Sequence, residues 1–284
     1  MRPIIIGIHG LNNKPSPDIL RDSWKAAMAE GIARNCGGQE LGVRFDLVYW
    51  ADLIYPAPTA PSELAEPYVA AESSGPLSRA GLSVRRVAAA RIQGGVGRFV
   101  EKVSRAPLAG DVFRDALKAR MPDLYDYRGS QELRDAVQDR LKERLRTARR
   151  WRRQIMLIAH SMGSIIAYEA LRDAGRDLPG LEVSHFVTVG SPLGLTQLKD
   201  IVAGPLRVPE CVARWSNFAD RRDGVARWDT FLSEEYGPNS RGVTISDHLV
   251  VNGYVSPTGK PNPHKVYGYL RTPEVSELIA GFAS

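Results

Sequence analysis

Cysteine is scarce: a chain of 284 residues holds only Cys36 and Cys211. Two cysteines make neither a disulfide framework nor a metal site. No run of 18 apolar residues occurs, so no transmembrane helix is expected. The opening MRPIIIGIHG has too short an apolar run for a secretory signal and passes directly into a strand-and-loop pattern. Internal repeats and low-complexity tails are absent. A cytoplasmic, reducing location is the expectation from these features. An excess of one sign of charge is also lacking outside one segment. The chain carries a net +6, and between Pro76 and Pro107 seven basic residues face one acidic residue, Glu101. That segment alone equals the excess, so the rest is balanced and a nucleic-acid partner is not expected.

What the chain does have is a core, with 43% of its residues hydrophobic, enough for one large domain. The most informative stretch is Gln154 to Leu171. Ile155-Met156-Leu157-Ile158 is an apolar run of strand length, suited to burial on both faces in a parallel sheet. Ala159-His160-Ser161-Met162-Gly163 follows, and then a helical pattern through Ile165, Ile166, Tyr168, Ala170 and Leu171. Strand, sharp turn and helix form the context of a nucleophile elbow. Such a turn needs small residues two before and two after the serine; Ala159 and Gly163 supply them, with Ala159 standing where the usual pattern has Gly. The turn would lift the Ser161 hydroxyl clear of the sheet and aim the Met162 N–H and the helix N-terminus at one point, where an oxyanion could form. An ordinary strand-to-helix turn that happens to contain serine is the plain alternative.

Other elements fall around this stretch. Arg2 to Ile8 reads as a buried strand and ends in His9-Gly10-Leu11-Asn12-Asn13, where Gly10 would let the N–H of Leu11 or Asn12 face the nucleophile. Pro17 to Arg34 reads as a helix with Asp18 as its N-cap, and Val43 to Trp50 as a second strand. Residues 53–110 break the rhythm and read as a cap or lid insertion, with a short helix expected at Ser62 to Ser73 and a basic amphipathic one at Leu82 to Val103. The insertion's charge suits a solvated cap face first and a peripheral contact with anionic lipid second. Val112 to Met121 and Ser130 to Trp151 read as helices, the second capped by Ser130 and closed by Arg149-Arg150-Trp151-Arg152-Arg153. Strands are expected at Val183 to Val189, Val212 to Phe218 and Val243 to Val251, with a closing helix at Pro273 to Phe282. Short connections point to one domain spanning 1–284, a doubly wound α/β fold whose mostly parallel sheet has helices on both faces.

A serine hydroxyl needs a base, and the base needs a partner that holds its tautomer. Five histidines are available. His160 should face away from its neighbour in an elbow, His9 belongs to the first loop, and His185 lies in a strand interior. His248 sits in the alternating TISDHLVVNGY strand, whereas His264 sits in the rigid loop Lys260-Pro261-Asn262-Pro263-His264. A catalytic histidine belongs on such a loop, which favours His264 over His248. For the acid, the strand ending at Phe218 offers Asp220 and Asp223. Asp223, followed by Gly224 and an anchoring Val225, is preferred, and Asp220 is better suited to capping the loop.

In this order, IIIGIHGLNN, LIAHSMGSIIAYEAL, VTVGSPLGL, WSNFADRRDGVA and NPHKVYGYL resemble the α/β-hydrolase superfamily, and its serine esterase and lipase branch most closely. The resemblance covers Arg2 to Asp52 and Val112 to the C-terminus. It implies the α/β-hydrolase fold, a Ser161–His264–Asp223 triad, and oxyanion donors at the Leu11 and Met162 amides. It further implies a small-molecule or lipid ester as substrate, with no metal or organic cofactor. A hydrolase-fold binding or scaffold protein and an acyltransferase using the same triad remain the alternatives.

Overall fold

All six expected strands are present and pair in parallel. The computed structural model describes residues 2–70, 118–119, 121–195, 204–226 and 230–284. Its strands are β1 (Pro3–Ile8), β2 (Arg44–Val48), β3 (Gln154–His160), β4 (His185–Val189), β5 (Trp215–Ala219) and β6 (Ile245–Leu249), arranged in the order β2-β1-β3-β4-β5-β6. Register is tight in the middle of the sheet, where Ile4 pairs with Ile155 and Ile8 with Ala159.

Helices cover both faces: α1 (Pro17–Asn35), α2 (Pro122–Gly129), α3 (Gln131–Arg150), α4 (Met162–Asp177), α5 (Val266–Leu270) and α6 (Pro273–Ala283). Because successive strand residues point to opposite faces, β1 and β3 feed two cores. Ile4, Ile6, Ile8, Ile155 and Leu157 pack under α2, α3 and α4. Ile5, Met156 and Ile158 pack under α1, α5 and α6. Burial on both faces is why these strands read as continuous apolar runs.

The chain winds from β1 outward to β2, then crosses back to β3 on the other side of β1. The winding direction therefore reverses between β1 and β3. Loops leaving the carboxyl ends of two such strands diverge to opposite faces and leave a crevice between them. The loops in question carry Gly10-Leu11 and Ser161.

Some local expectations need correction. Asp18 is not the N-cap of α1; Ser16 holds that position with no side-chain hydrogen bond, Pro17 opens the helix and Asp18 lies in its first turn. Proline at the first helical position fixes the start through its φ angle and leaves less for a capping side chain to do. No helix begins at Ser62: Pro61–Glu63 is one 3-10 turn, and residues 64–70 run without regular structure through Pro67. The expected amphipathic helix at Leu82 to Val103, and nearly all of Val112 to Met121, lie outside the described residues. Helix α2 was not anticipated. Ser130 caps α3 as expected, accepting from the Leu133 N–H at 3.1 Å. Among the described residues no helix is long and apolar enough to cross a membrane.

Candidate active site

Ser161 sits between β3 and α4 with φ 54° and ψ −130°, one of three described non-glycine residues with positive φ. Such a conformation costs of order 1–3 kcal/mol and persists only where the surroundings enforce it. Close packing enforces it here. A Cβ on Gly163 would lie 2.6 Å from the His9 carbonyl oxygen and 2.7 Å from that of Ile8, so β1 and the first turn of α4 touch backbone to backbone. A Cβ on Gly10 would lie 2.7 Å from the Ser161 Cβ, which places the loop after β1 directly against the serine. The Ser161 N–H donates to the Val189 carbonyl at 3.2 Å, tying the turn to β4.

His264 arrives from the other side on a loop held by Asn262, whose Oδ1 accepts from the His264 N–H at 3.0 Å. Its Nε2 lies 3.0 Å from the Ser161 Oγ, and its Nδ1 lies 2.9 Å from each Asp223 oxygen. A carboxylate only accepts, so Nδ1 carries the proton and Nε2 is left free to accept from the serine. Asp223 is fully buried. Besides the imidazole it accepts from the Val225 N–H at 2.8 Å and from the Tyr269 hydroxyl at 2.6 Å.

Asp220 is turned elsewhere. Its carboxylate accepts from the backbone and guanidinium of Arg222 and from the Asn252 N–H at 2.7 Å, so it caps the loop. His248 stacks on Phe218 in the sheet, with ring centroids 4.7 Å apart. His185 is buried against the Ser216 hydroxyl, and burial lowers its pKa to about 4. Of the sequence candidates, Ser161, His264 and Asp223 are thus brought together, while His248 and Asp220 are not.

His160, set aside as a base because it was expected to face away from Ser161, has a supporting place: its ring packs 4.9 Å from that of His264 and its Nε2–H donates to the His264 carbonyl at 2.8 Å. Burial, with the positive side chains nearby, pushes its pKa well down. A neutral His160 therefore buttresses the His264 loop from below. The elbow aims only the serine side chain at the crevice; the preceding residue remains free to contact whatever loop lies over the sheet edge.

The loop after β1 is equally constrained. His9 is buried and stacked on Trp50, accepts from the Trp50 N–H at Nε2, and donates from Nδ1 to the Gly10 carbonyl at 2.9 Å. Desolvation keeps this ring neutral by lowering its pKa well below the usual value. A trans peptide directs its N–H opposite to its carbonyl, so holding the Gly10 carbonyl on His9 sets the direction of the Leu11 N–H. The Asn12 N–H is already committed to Asp123 at 2.6 Å, which leaves Leu11 of the two amides considered for this loop. The Met162 N–H opens α4 and has no intrahelical acceptor.

Two contributors escaped sequence reasoning, Tyr269 and Gly190. Gly190 has φ 58°, and a Cβ there would lie 3.0 Å from the Asp223 Oδ2 and 3.2 Å from the His264 Nδ1. Its place directly after β4 was the only available signal. Tyr269 gave none, because it reads as one of several apolar residues in a helical pattern.

A cavity of about 380 Å³ opens at Ser161. Leu11, Leu20, Trp24, Leu64 and Val225 form apolar wall, with Lys14 and Lys265 among its charged lining. Leu64 and Glu66 come from the start of the insertion, and the Asn262 amide donates to Glu66 at 2.8 Å. Among the described residues no group of three or more His, Cys, Asp or Glu is placed to hold a metal ion.

The parallel sheet, the two helical layers and the crevice at the strand carboxyl ends have the arrangement of the α/β-hydrolase fold. The family model described as lecithin:cholesterol acyltransferase matches residues 118–201, less than a third of the chain. This stretch begins just before α2, includes the Ser161 turn and all of β4, and is similar to that family. No curated protein matches the sequence.

Proposed function

We propose that the protein is a serine hydrolase of carboxylic esters, acyl or lipid esters included, working through an acyl-enzyme on Ser161. The observation that carries this reading is the unbroken hydrogen-bond chain from Asp223 through His264 to Ser161. In the proposed reaction the His264 Nε2 takes the Ser161 proton as Oγ bonds to the acyl carbon. Buried Asp223 keeps the ring in the Nδ1–H tautomer and stabilises the imidazolium. The carbonyl electrons move to oxygen, where the Leu11 and Met162 amides would receive them. The imidazolium then protonates the departing alkoxide. A water, deprotonated by the same nitrogen, attacks the acyl-enzyme, and collapse returns the proton to the Ser161 oxygen. No cofactor takes part in these steps. The apolar wall of the cavity fits an acyl chain.

A second reading is favoured by the match to the lecithin:cholesterol acyltransferase family over residues 118–201. An alcohol in place of water would turn hydrolysis into acyl transfer with every earlier step unchanged. Two free thiols fit the cytoplasmic location that we propose.

Labelling with a fluorophosphonate, followed by hydrolysis of a p-nitrophenyl ester series, tests the proposal. Labelling at Ser161 and loss of turnover in Ser161→Ala are expected. A well-folded sample that neither labels nor turns over would point to a binding or scaffold role. Faster acyl release when alcohols are added would favour transfer.

A further inference from the structure

The peptide unit joining Leu11 to Asn12 is gripped from both sides. Its carbonyl accepts from the Lys14 ammonium, and its N–H donates to the Asp123 Oδ2 at 2.6 Å. Lys14 also donates to the next carbonyl, that of Asn12, at 2.8 Å. Between the two grips Asn12 takes a left-handed conformation, φ 71°, which asparagine tolerates better than most residues. Asp123 is buried to 1% exposure, and its other oxygen accepts from the Tyr55 hydroxyl at 2.6 Å. It lies in the first turn of α2, and α2 is seated on the body of the protein by Tyr127, whose hydroxyl donates to Glu169 of α4 at 2.6 Å.

We propose that Lys14 and Asp123 are positioning residues that hold the Leu11 amide where an oxyanion would form, an inference that rests on the reading of Ser161 as the nucleophile. The geometry argues for it link by link. His9 fixes the carbonyl of the peptide unit before Leu11. Lys14 and Asp123 fix the unit after it. The Leu11 N–H is therefore carried by a unit whose own carbonyl is held by the neutral His9 ring and whose following unit is held by two charged partners, so the backbone on both sides of Leu11 is fixed. Charged hydrogen bonds are the stronger kind and set direction as well as distance. Lys14 also lines the cavity beside Ser161, so its charge stands near the reacting centre as well as behind the loop. Burial and repulsion from Lys265 push its pKa down to about 7, with Asp123 opposing. The two carbonyls and Asp123 are what hold a partly desolvated amine in that place.

The test uses Lys14→Met, Asp123→Ala and Asp123→Asn in the full chain. On a neutral p-nitrophenyl ester the first two should lose about tenfold or more in kcat with KM within about threefold, because misplacing one donor acts mainly in the transition state. Binding of an alkyl boronic acid should weaken in proportion. Asparagine keeps an acceptor for the Asn12 N–H, so Asp123→Asn should recover most of the lost kcat. Hydrogen exchange over residues 9–16 should quicken in Lys14→Met and Asp123→Ala and stay near wild type in Asp123→Asn. Unchanged kcat in both disruptive variants, equal losses in kcat and 1/KM, or unchanged exchange would each overturn the proposal. A wild-type protein that fails to label at Ser161 would instead sink the nucleophile reading, and the exchange measurement would still judge the grip on the loop.

Discussion

Tyr269→Phe removes one oxygen and leaves the ring, so packing against Gly190 is preserved and only hydrogen bonds change. The Tyr269 hydroxyl donates to the Asp223 Oδ2 at 2.6 Å and accepts from the Asp220 N–H at 3.1 Å. Both aspartates are buried, and so is the tyrosine. Losing a hydrogen bond to a charged group costs about 1.5–3 kcal/mol, and orphaning a buried N–H costs about 1–3 kcal/mol. Together the change should destabilise the protein by about 2–5 kcal/mol, allowing for partial relaxation. For a chain of this size that corresponds to a fall in Tm of roughly 4–10 °C. Asp223 keeps the Val225 N–H and the imidazole, so ester turnover should fall by no more than about tenfold, the scale of a slightly misplaced group. Calorimetry and steady-state kinetics on the same preparation read both effects. A Tm within roughly 1 °C of wild type, with unchanged kcat, would refute the assignment of this hydroxyl as a support for Asp223.

Gly163→Ala places a methyl 2.6 Å and 2.7 Å from two carbonyl oxygens, against an ordinary C···O approach of about 3.3 Å, so β1 and α4 must separate. Destabilisation of about 1–3 kcal/mol in urea unfolding is expected, with a larger proportional loss of turnover. Asp223→Asn should lower kcat by about 10³–10⁴-fold through the wrong imidazole tautomer. Asp220→Asn should instead weaken the loop and the Arg222 pair, lowering Tm while leaving kcat within about tenfold; reversed effects would exchange the two roles. Acid stability follows from His9 and His185, whose folded pKa values are lowered by burial, the latter to about 4. Between their unfolded value near 6.5 and that limit, only the unfolded chain binds these two protons. Stability should therefore fall as pH drops through this window, by at most about 2.7 kcal/mol per pH unit from the two together. A urea midpoint unchanged between pH 6.5 and 5 would contradict it.

Much of this architecture was legible along the chain because its signals are local. Strand β3 and helix α4 announce themselves by an apolar run, a small-residue turn and a helical period within eighteen residues. Gly163 could be read as necessary from the turn alone, although the atoms that require it belong to β1. The glycine and valine that follow Asp223 favour it over Asp220 in the sequence, and the bond that ties Val225 to the carboxylate comes from its backbone N–H, which the valine side chain does not specify. Where local reading failed, the deciding contacts came from distant segments. His160 touches a loop 104 residues away, and Asp123 grips an amide 111 residues back. The start of α1 was misread because proline and an acid can each open a helix, and only the backbone angles show which does.

By itself, then, the order of residues determined the parallel α/β scaffold, the elbow around Ser161 and the short set of histidines and aspartates able to serve it. Periodicity, turn chemistry and side-chain size are properties of neighbours in sequence, and they survive without coordinates. Only the tertiary structure decided which imidazole reaches Ser161, which carboxylate reaches that imidazole, and which residues hold the loop after β1. Those contacts exist because parallel strands bring their carboxyl ends to one rim, and the distances across that rim depend on packing that no local pattern encodes.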